Sequence, residues 1–452
     1  MQERSALLQS LHDTIKRLND GTDNTTHPYD VAEILLELRD EDEHLYLEVL
    51  NDLSPELRAQ VIIELPSYCH EEIIEHFTPS QLADLTHTLD TDDAAELIRN
   101  IEDVDEDVAE ELLQNLPEED RHTLQALISY GDYEAGSYMQ TELFYAHIDE
   151  KVGDSIRRLK QLKAAKELDS VYQVYVINHR NKFLGSILLE DLILIGPNVF
   201  YEELVKEGVN TIAVQATDDI NEVVEIASNY DMNVVPVIDA KGNLIGRITA
   251  DDIYDIIEER ATGQLYHLAG VNEEAEQEES LLRIGRHRAV WLGVNLLTAI
   301  AASIVIGWFD TTLQSLVALA VLMPIVASMG GNAGTQTLTV TVRQMALGDI
   351  SGDDAKETLQ KEVLLALLNG TIFAVAMGLI AWFWFDRAML GVVIGMAMVI
   401  NLLAAGFFGA LIPLLLKKAS IDPAIGSSVL LTTVTDIVGF FSFLGLASII
   451  LL

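Results

Sequence analysis

Hydrophobic and polar positions change rhythm twice along the chain, and each rhythm predicts a different kind of element. In residues 1–130, "LSPELRAQVIIEL", "FTPSQLADLTHTL", "LDTDDAAELIRNI", "VDEDVAEELLQNL" and "LPEEDRHTLQALI" each place Ser, Thr, Asp or Pro and acidic residues ahead of apolar residues spaced by three and four. Those are helix starts followed by helix faces, and they predict stacked helical hairpins. From 147 to 260 the pattern shifts to alternation. "YVINHRNKFLGSILLEDLI" from Tyr175 and "PVIDAKGNLIGRITADDIY" from Pro236 align without a gap at an offset of 61 residues. Each reads as strand, turn, strand and helix start, and "DDINEVVEIASNYDMNVV" between them supplies a helix and a further strand. After residue 288, uncharged stretches fill five segments: Ala289–Phe309, Thr311–Val342, Val363–Phe385, Ala388–Leu416 and Pro423–Leu452, the last interrupted only by Asp436. A helix of about 20 apolar residues crosses a bilayer, so five spans are predicted.

Charge sharpens this division. The chain has 28 Lys and Arg against 71 Asp and Glu, a formal net charge of −43. Six of those bases and nine of those acids lie from Ala289 onward, leaving 22 and 62 before it, a net −40 against −3. An acidic body of this kind repels nucleic acid and anionic lipid and attracts cations. The single cysteine, Cys69, excludes an internal disulfide and fits a reducing compartment. The stretch "MQERSALLQSLHDTIKRLND" reads as an amphipathic helix without the apolar run of a signal peptide, so the body is expected in the cytoplasm. Basic residues near span ends are held on the cytoplasmic side. Arg283, Arg286, Arg288, Arg343, Lys356, Lys361, Lys417 and Lys418 fall on one side and only Arg387 on the other. Five spans then put the carboxyl end outside.

Asp436 is the ionisable residue within those uncharged stretches. A carboxylate at mid-membrane costs about 2.5–3.5 kcal/mol on insertion scales. Asp422, at the cytoplasmic start of the span, lies 14 residues earlier, roughly 21 Å along a helix at 1.5 Å per residue. Asp436 therefore either accepts hydrogen bonds as a neutral acid, from Thr432, Thr433 or Thr435, or faces water and a mobile cation. Intramembrane ionisable residues mark ion pathways by default. One carboxylate under-neutralises a divalent ion, whereas a two-fold axis along a pore brings two together. A hard cation such as Mg2+ sheds water reluctantly and suits such a pair.

The second span holds "PIVASMGGNAGTQT" from Pro324 to Thr337. Pro324 removes a helix hydrogen bond, and Gly330, Gly331 and Gly334 loosen the backbone or admit another helix at close range. Freed carbonyls must face protein or water. Asn332, Thr335 and Gln336 add polar groups at that level, so Pro324, Gly330, Gly331, Asn332 and Gln336 are candidate pore-lining residues. Packing by small residues accounts for the glycines equally well.

The paired repeats resemble a tandem CBS module, a cytoplasmic sensor that binds adenosine ligands and dimerises. In such repeats a Thr-x-x-Asp after the last strand holds a ribose. The second copy has it as Thr249 and Asp252; the first has Leu188 in place of the Thr and keeps Asp191. Thr249 and Asp252 either bind a nucleotide such as ATP or cap a helix. The following stretch, "ATGQLYHLAGVNEEAEQEESLLRIGRHRAVW", contains no Pro and reads as a helix joining sensor to first span.

Taken together, "PIVASMGGNAGTQ", "DPAIGSSVLLTTVTDIVGFF", "YEAGSYM" at Tyr133–Met139, the five spans, the tandem repeats and the acidic helical body resemble the MgtE-type magnesium transporter family. The resemblance implies a homodimeric, Mg2+-selective channel in the plasma (inner) membrane, with its pore on the dimer axis and Asp436 as its pore aspartate. It implies that cytoplasmic Mg2+ bridges acidic residues and closes the pore, a role that falls by position on Asp92, Glu96, Asp219, Asp231, Asp252 and Asp255. Arg260, Gly263 and Gln264 stand where further acidic ligands are expected. The architecture implied is an all-α superhelical amino-terminal domain (1–135), a tandem CBS α/β domain (136–260), a connecting helix (261–288) and a five-helix transmembrane domain (289–452). No nucleophile or base constellation stands out, so an enzyme is not expected. A carrier of Co2+ or Mn2+ and a membrane-anchored nucleotide sensor are the alternatives.

Overall fold

The computed structural model describes residues 27–165, 168, 170–269, 271, 281–346, 350, 355–419, 421, 423 and 426–452, without the side chains of residues 40, 43, 67, 268, 283 and 346. The expected amino-terminal amphipathic helix and Asp422 lie outside the described residues. The chain forms two compact units, Met1–Glu258 and Glu259–Leu452.

The first unit begins with helices α1 Pro28–Glu41, α2 Glu43–Asp52, α3 Pro55–Ile63, α4 His70–His76, α5 Pro79–Thr86, α6 Thr91–Val104, α7 Glu106–Asn115 and α8 Glu118–Ile128. Their starts are where the sequence placed them. Ser54 and Thr78 accept hydrogen bonds from the amides of Leu57 and Gln81, with Pro55 and Pro79 following as first helical residues. Leu35, Ile62, Leu82, Leu97 and Leu112 are fully buried and form one core. Alternate helices therefore stack as hairpins, each hiding one face.

Two small sheets follow. Strands β1 Tyr145–His147, β2 Gln173–Ile177 and β3 Phe183–Leu188 form one; β4 Val214–Gln215, β5 Val234–Ile238 and β6 Leu244–Thr249 form the other. In each, the outer strand runs parallel to the middle one and the third antiparallel. The 61-residue offset holds in detail. Asn178 Oδ1 accepts from the amides of Arg180 and Lys182, and Asp239 Oδ1 from those of Lys241 and Asn243. The same turn position has φ +58° at Asn181 and +82° at Gly242, the left-handed conformation that Asn and Gly accept most readily. Phe183 donates to the Gly242 carbonyl and Leu244 to that of Asn181, a reciprocal pair joining the two copies. Helices α9 Val152–Ala165, α10 Leu189–Leu194, α11 Tyr201–Glu207, α12 Ile220–Asn229 and α13 Ala250–Ala269 complete this part.

Among the described residues, the second unit contains five helices long and apolar enough to cross a membrane: α14 Leu281–Gly307, α16 Val317–Ala346, α17 Ala355–Phe385, α18 Ala388–Lys418 and α19 Ser427–Ile450. Between the first two lies a short helix, α15 Asp310–Ser315. The sequence predicts one uncharged run from Thr311 to Val342. The structure breaks it at Leu316, whose backbone is extended (φ −146°, ψ 94°). The hydroxyl of Ser315 bonds the Thr312 carbonyl there, a local alternative to the helical ladder. Helix α17 begins eight residues before the predicted span and carries Lys356, Glu357, Lys361 and Glu362 in its first two turns. The expected connecting helix is helical at 261–269 and 281–288, and most of the residues between lie outside the description.

Candidate functional site

In the first unit, two acidic helix starts meet. Asp92 and Asp93 occupy the first turn of α6, and Asp251 and Asp252 that of α13. Carboxylates favour a helix start because free amides and the helix dipole face them. Two such starts together do not favour each other. Burial, then the charges of Asp252 and Asp93, raises the Asp92 carboxyl well above its usual 3.8. Burial, then Glu96 and Asp252, pushes Asp93 up to about 7. Asp252 is pushed by burial up to about 6, although it accepts hydrogen bonds from Thr249 Oγ1 at 2.6 Å and Thr249 N at 3.0 Å. Asp255 is raised by burial and by Asp251 and Glu258, and Glu64 by burial with Asp255 adding to it. The charges that act most on Asp92, Asp93, Asp252 and Asp255 are all acidic.

A polar bracket holds this cluster. Gln140 donates to Asp90 Oδ2 at 2.9 Å, while its own Oε1 accepts from buried Arg247 on β6 at 2.8 Å. Arg247 also reaches the Ser170 carbonyl at 2.6 Å. One guanidinium thus joins the helical part to the second repeat without neutralising the aspartates directly. Among the described residues, no group of three or more His, Cys, Asp or Glu is arranged to hold a metal directly. The donors are hard oxygens suited to a hydrated Mg2+, but they are not closed into an inner cage.

Asp92, Glu96, Asp252 and Asp255 therefore belong to one electrostatic neighbourhood. Asp219 and Asp231 are not among the charges that raise these carboxyls most. Asp219 caps α12, accepting from Asn221 N at 2.8 Å, and Asp231 sits in a left-handed turn with φ +51°. Asp231 lines a cavity of about 450 Å3 with Tyr172, Leu188, Asp191, Asn210 and Tyr230. That cavity is lined by the first repeat, the copy without the threonine, together with residues 230–234 at the start of β5. Asp93, Asp251 and Glu64 were missed by sequence reasoning, because "TDD" and "ADD" look like ordinary acidic helix starts and their meeting is a tertiary fact.

In the second unit, Asp436 is half-buried on α19. The threonines that could have neutralised it are engaged elsewhere. Thr432 and Thr433 donate to the carbonyls of Ser428 and Val429 at 3.0 and 2.6 Å, and Thr435 to that of Thr432 at 3.1 Å. On α16, Ser328, Asn332 and Gln336 follow at intervals of four, so they lie in one row, and all three are exposed on the single chain, as is Pro324. Asn332 donates to Ser328 Oγ at 3.4 Å. Gly331 has open space where a side chain would begin, whereas Gly330 meets Asn401 and Gly334 meets Leu431.

Asn332 is 15 residues from the start of α16 and Asp436 is 14 from the end of α19. At 1.5 Å per residue both lie roughly 21–23 Å from the same side. The Gly334–Leu431 contact agrees with this antiparallel register. A polar row and a carboxylate thus share one depth. Glu362, which the sequence left outside the third span, is also buried, accepting from Thr337 Oγ1 of α16 at 3.1 Å. Asn401 is fully buried on α18. An Asn within a long apolar run gave no signal of either kind.

Comparison with known proteins covers both units. Residues 323–446 match the family profile described as a divalent cation transporter, residues 26–133 that of the MgtE intracellular N domain, and residues 205–259 that of the CBS domain. The magnesium transporter MgtE of Thermus thermophilus is 29% identical over 436 residues, covering 93% of this chain and 95% of that one. That of Enterococcus faecalis is 32% identical over 325 residues, covering 72% and 71%. Among solved structures, the soluble part of a magnesium transporter aligns at 26% identity with a TM-score of 0.50, over 57% of this chain and 97% of that one.

Proposed function

Because the chain belongs to the MgtE family of magnesium transporters, we propose that it conducts Mg2+ into the cytoplasm past Asp436 and closes when Mg2+ gathers on the acidic cluster. The observation that carries the first half is the shared depth of Asp436 and the row Ser328, Asn332 and Gln336 on otherwise apolar helices. Groups of that polarity do not face acyl chains. Two copies of the chain about a two-fold axis supply two aspartates, matching the charge of a divalent ion. Carboxylates and amide oxygens contact such an ion through its waters, since Mg2+ dehydrates reluctantly. No covalent step is involved. With the body in the cytoplasm and the carboxyl end outside the plasma (inner) membrane, potential drives the ion inward by about 2.3 kcal/mol per charge per 100 mV, twice that for Mg2+.

The second half rests on the crowding at Asp92, Asp93, Asp252 and Asp255. Their charges oppose one another when ionised, so a divalent ion shared among them draws α6 and α13 together. Glu96 and Glu64 extend the cluster. Asp219 and Asp231 are left out of this site. The adenosine ligand expected at Thr249 and Asp252 has a second candidate site in the 450 Å3 cavity, where Tyr172 and Tyr230 offer faces for a base and Asp191 an acceptor for ribose hydroxyls. In the second copy Thr249 bonds Asp252, so the expected ribose site and the acidic cluster share that carboxylate.

The test is Mg2+ flux into proteoliposomes by wild type and Asp436→Ala. Flux present in the first and lost in the second supports the pathway; equal flux removes Asp436 from it. Competition by Co2+ or Mn2+ at lower concentration than Mg2+ would reassign the cargo.

A further inference from the structure

Asn401 lies where three helices meet. Its carboxamide on α18 is fully buried. It is 13 residues from the start of α18, roughly 20 Å at 1.5 Å per residue, and so close to the depth of Asp436. The Nδ2 group donates to the Val326 carbonyl of α16 at 2.9 Å, and the Oδ1 atom has no hydrogen-bond partner among the described residues. A carbonyl only accepts, so the nitrogen must face it and the oxygen is the orphan. A leucine would fill similar space without that orphan. The amide is thus worse than an apolar residue for packing alone.

Both pore-side helices are cut away to admit it. A Cβ at Gly330 of α16 would lie 2.2 Å from Asn401 Nδ2, and one at Gly439 of α19 would lie 2.8 Å from the same atom. A side chain at either position would force the amide to move. Gly439 is three residues beyond Asp436, one turn along the same face of α19. Val326 is two residues past Pro324, where α16 lacks one donor of its own ladder. The amide therefore ties the weakened stretch of α16 to the turn of α19 that carries the aspartate.

We infer that Asn401 is a positioning residue for ion passage: it sets the separation between the polar row of α16 and Asp436. It touches no ion, and acts through the spacing of the two helices on either side of it. The inference rests on the pathway proposed above, and its test is built to fail separately from it.

Asn401→Leu, reconstituted as the full chain, is compared with wild type and with Asp436→Ala. The expected result is a half-saturating Mg2+ concentration raised about tenfold, with maximal flux within about threefold of wild type. A packing role alone would lower the amount of folded protein and leave the saturation curve unmoved. A second pair guards against misfolding of the leucine variant. Gly330→Ala should lose flux when Asn401 is present and recover it in the Asn401→Ala background, where the new methyl group has room. A wild-type saturation curve in Asn401→Leu, or equal loss for Gly330→Ala in both backgrounds, overturns the inference. Full flux in Asp436→Ala would remove the pathway itself, and Asn401 would then have nothing to position.

Discussion

The two units use carboxylates in opposite ways. In the first, Asp92, Asp93, Asp252 and Asp255 crowd at helix starts, where burial and neighbouring acidic charges raise the proton affinity of each. In the second, Asp436 stands without a hydrogen bond or ion pair among the described residues, on a helix whose threonines bond their own backbone. Crowded carboxylates whose mutual repulsion a cation relieves bind it over a range set by its concentration. A solitary one at membrane depth cannot be screened by salt, so its whole interaction is available to the ion that replaces bulk water. A sensor needs the first property and a passage the second.

The comparison breaks most simply at Asp436. Asp436→Ala is expected to cut Mg2+ flux by about a hundredfold or more, equivalent to roughly 2.8 kcal/mol at 1.4 kcal/mol per tenfold. Asp436→Glu keeps the charge but moves it by one methylene, and retains part of the flux. Proteoliposome uptake with a fluorescent Mg2+ indicator reads both. Flux in the alanine variant near wild type would leave the two units with no contrast to explain.

Next in size is the cluster. Asp252→Asn removes one charge that acts on both Asp92 and Asp93. The Mg2+ concentration that closes the pore is expected to rise by about tenfold, one charge-pair interaction of roughly 1.4 kcal/mol in a partly wet site. Single-channel or flux recordings at graded cytoplasmic Mg2+ measure this. Maximal flux should stay as in wild type; a variant that closes normally places the sensor elsewhere.

On the proposed sensor, protons compete with Mg2+ for the same groups, and the sign follows from the raised values. Asp93 is pushed up to about 7 and Asp252 up to about 6, from 3.8. For an acid with a raised folded value, the stability it contributes is present at low pH and is lost as pH climbs from about 4 through about 7. The folded cluster is thus comfortable when protonated and strained when ionised. Mg2+ is expected to relieve strain that builds through that window and is complete above it. Amide exchange at residues 90–96 of the full chain should slow on adding Mg2+ by a wide margin at pH 8 and little at pH 5.5. Equal protection at both would detach the cluster from the ion.

Much of this was legible in the sequence, for identifiable reasons. The spans showed because their interiors lack charge, and the paired sheets because Tyr175 and Pro236 begin segments repeating at 61 residues. Asp436 showed because a carboxylate in an uncharged run has no bland explanation. The same criterion hid Glu362: a span defined as uncharged must start after it, yet α17 starts at Ala355 and buries it against Thr337. Leu316 was hidden because an extended residue between two apolar helices leaves no polar mark. The pairing of Asp92 with Asp252 came only by resemblance, since contact between residues so distant in sequence has no local signature. Asn401 needed Gly330 and Gly439 on the page together.

The smallest expected effect separates a capping carboxylate from a crowded one. Asp219 accepts from both the backbone and side-chain amides of Asn221 at 2.8 Å and closes the start of α12. It is not among the charges that act most on Asp92, Asp93, Asp252 and Asp255. Asp219→Ala should therefore cost about 1 kcal/mol of stability, the usual penalty for a lost helix cap. Asp219→Ser supplies another capping oxygen and should recover most of it. Neither variant should move the Mg2+ concentration that closes the pore. A shift on the scale of Asp252→Asn would show that Asp219 senses the ion too, and the acidic site would then extend from α6 and α13 to the start of α12.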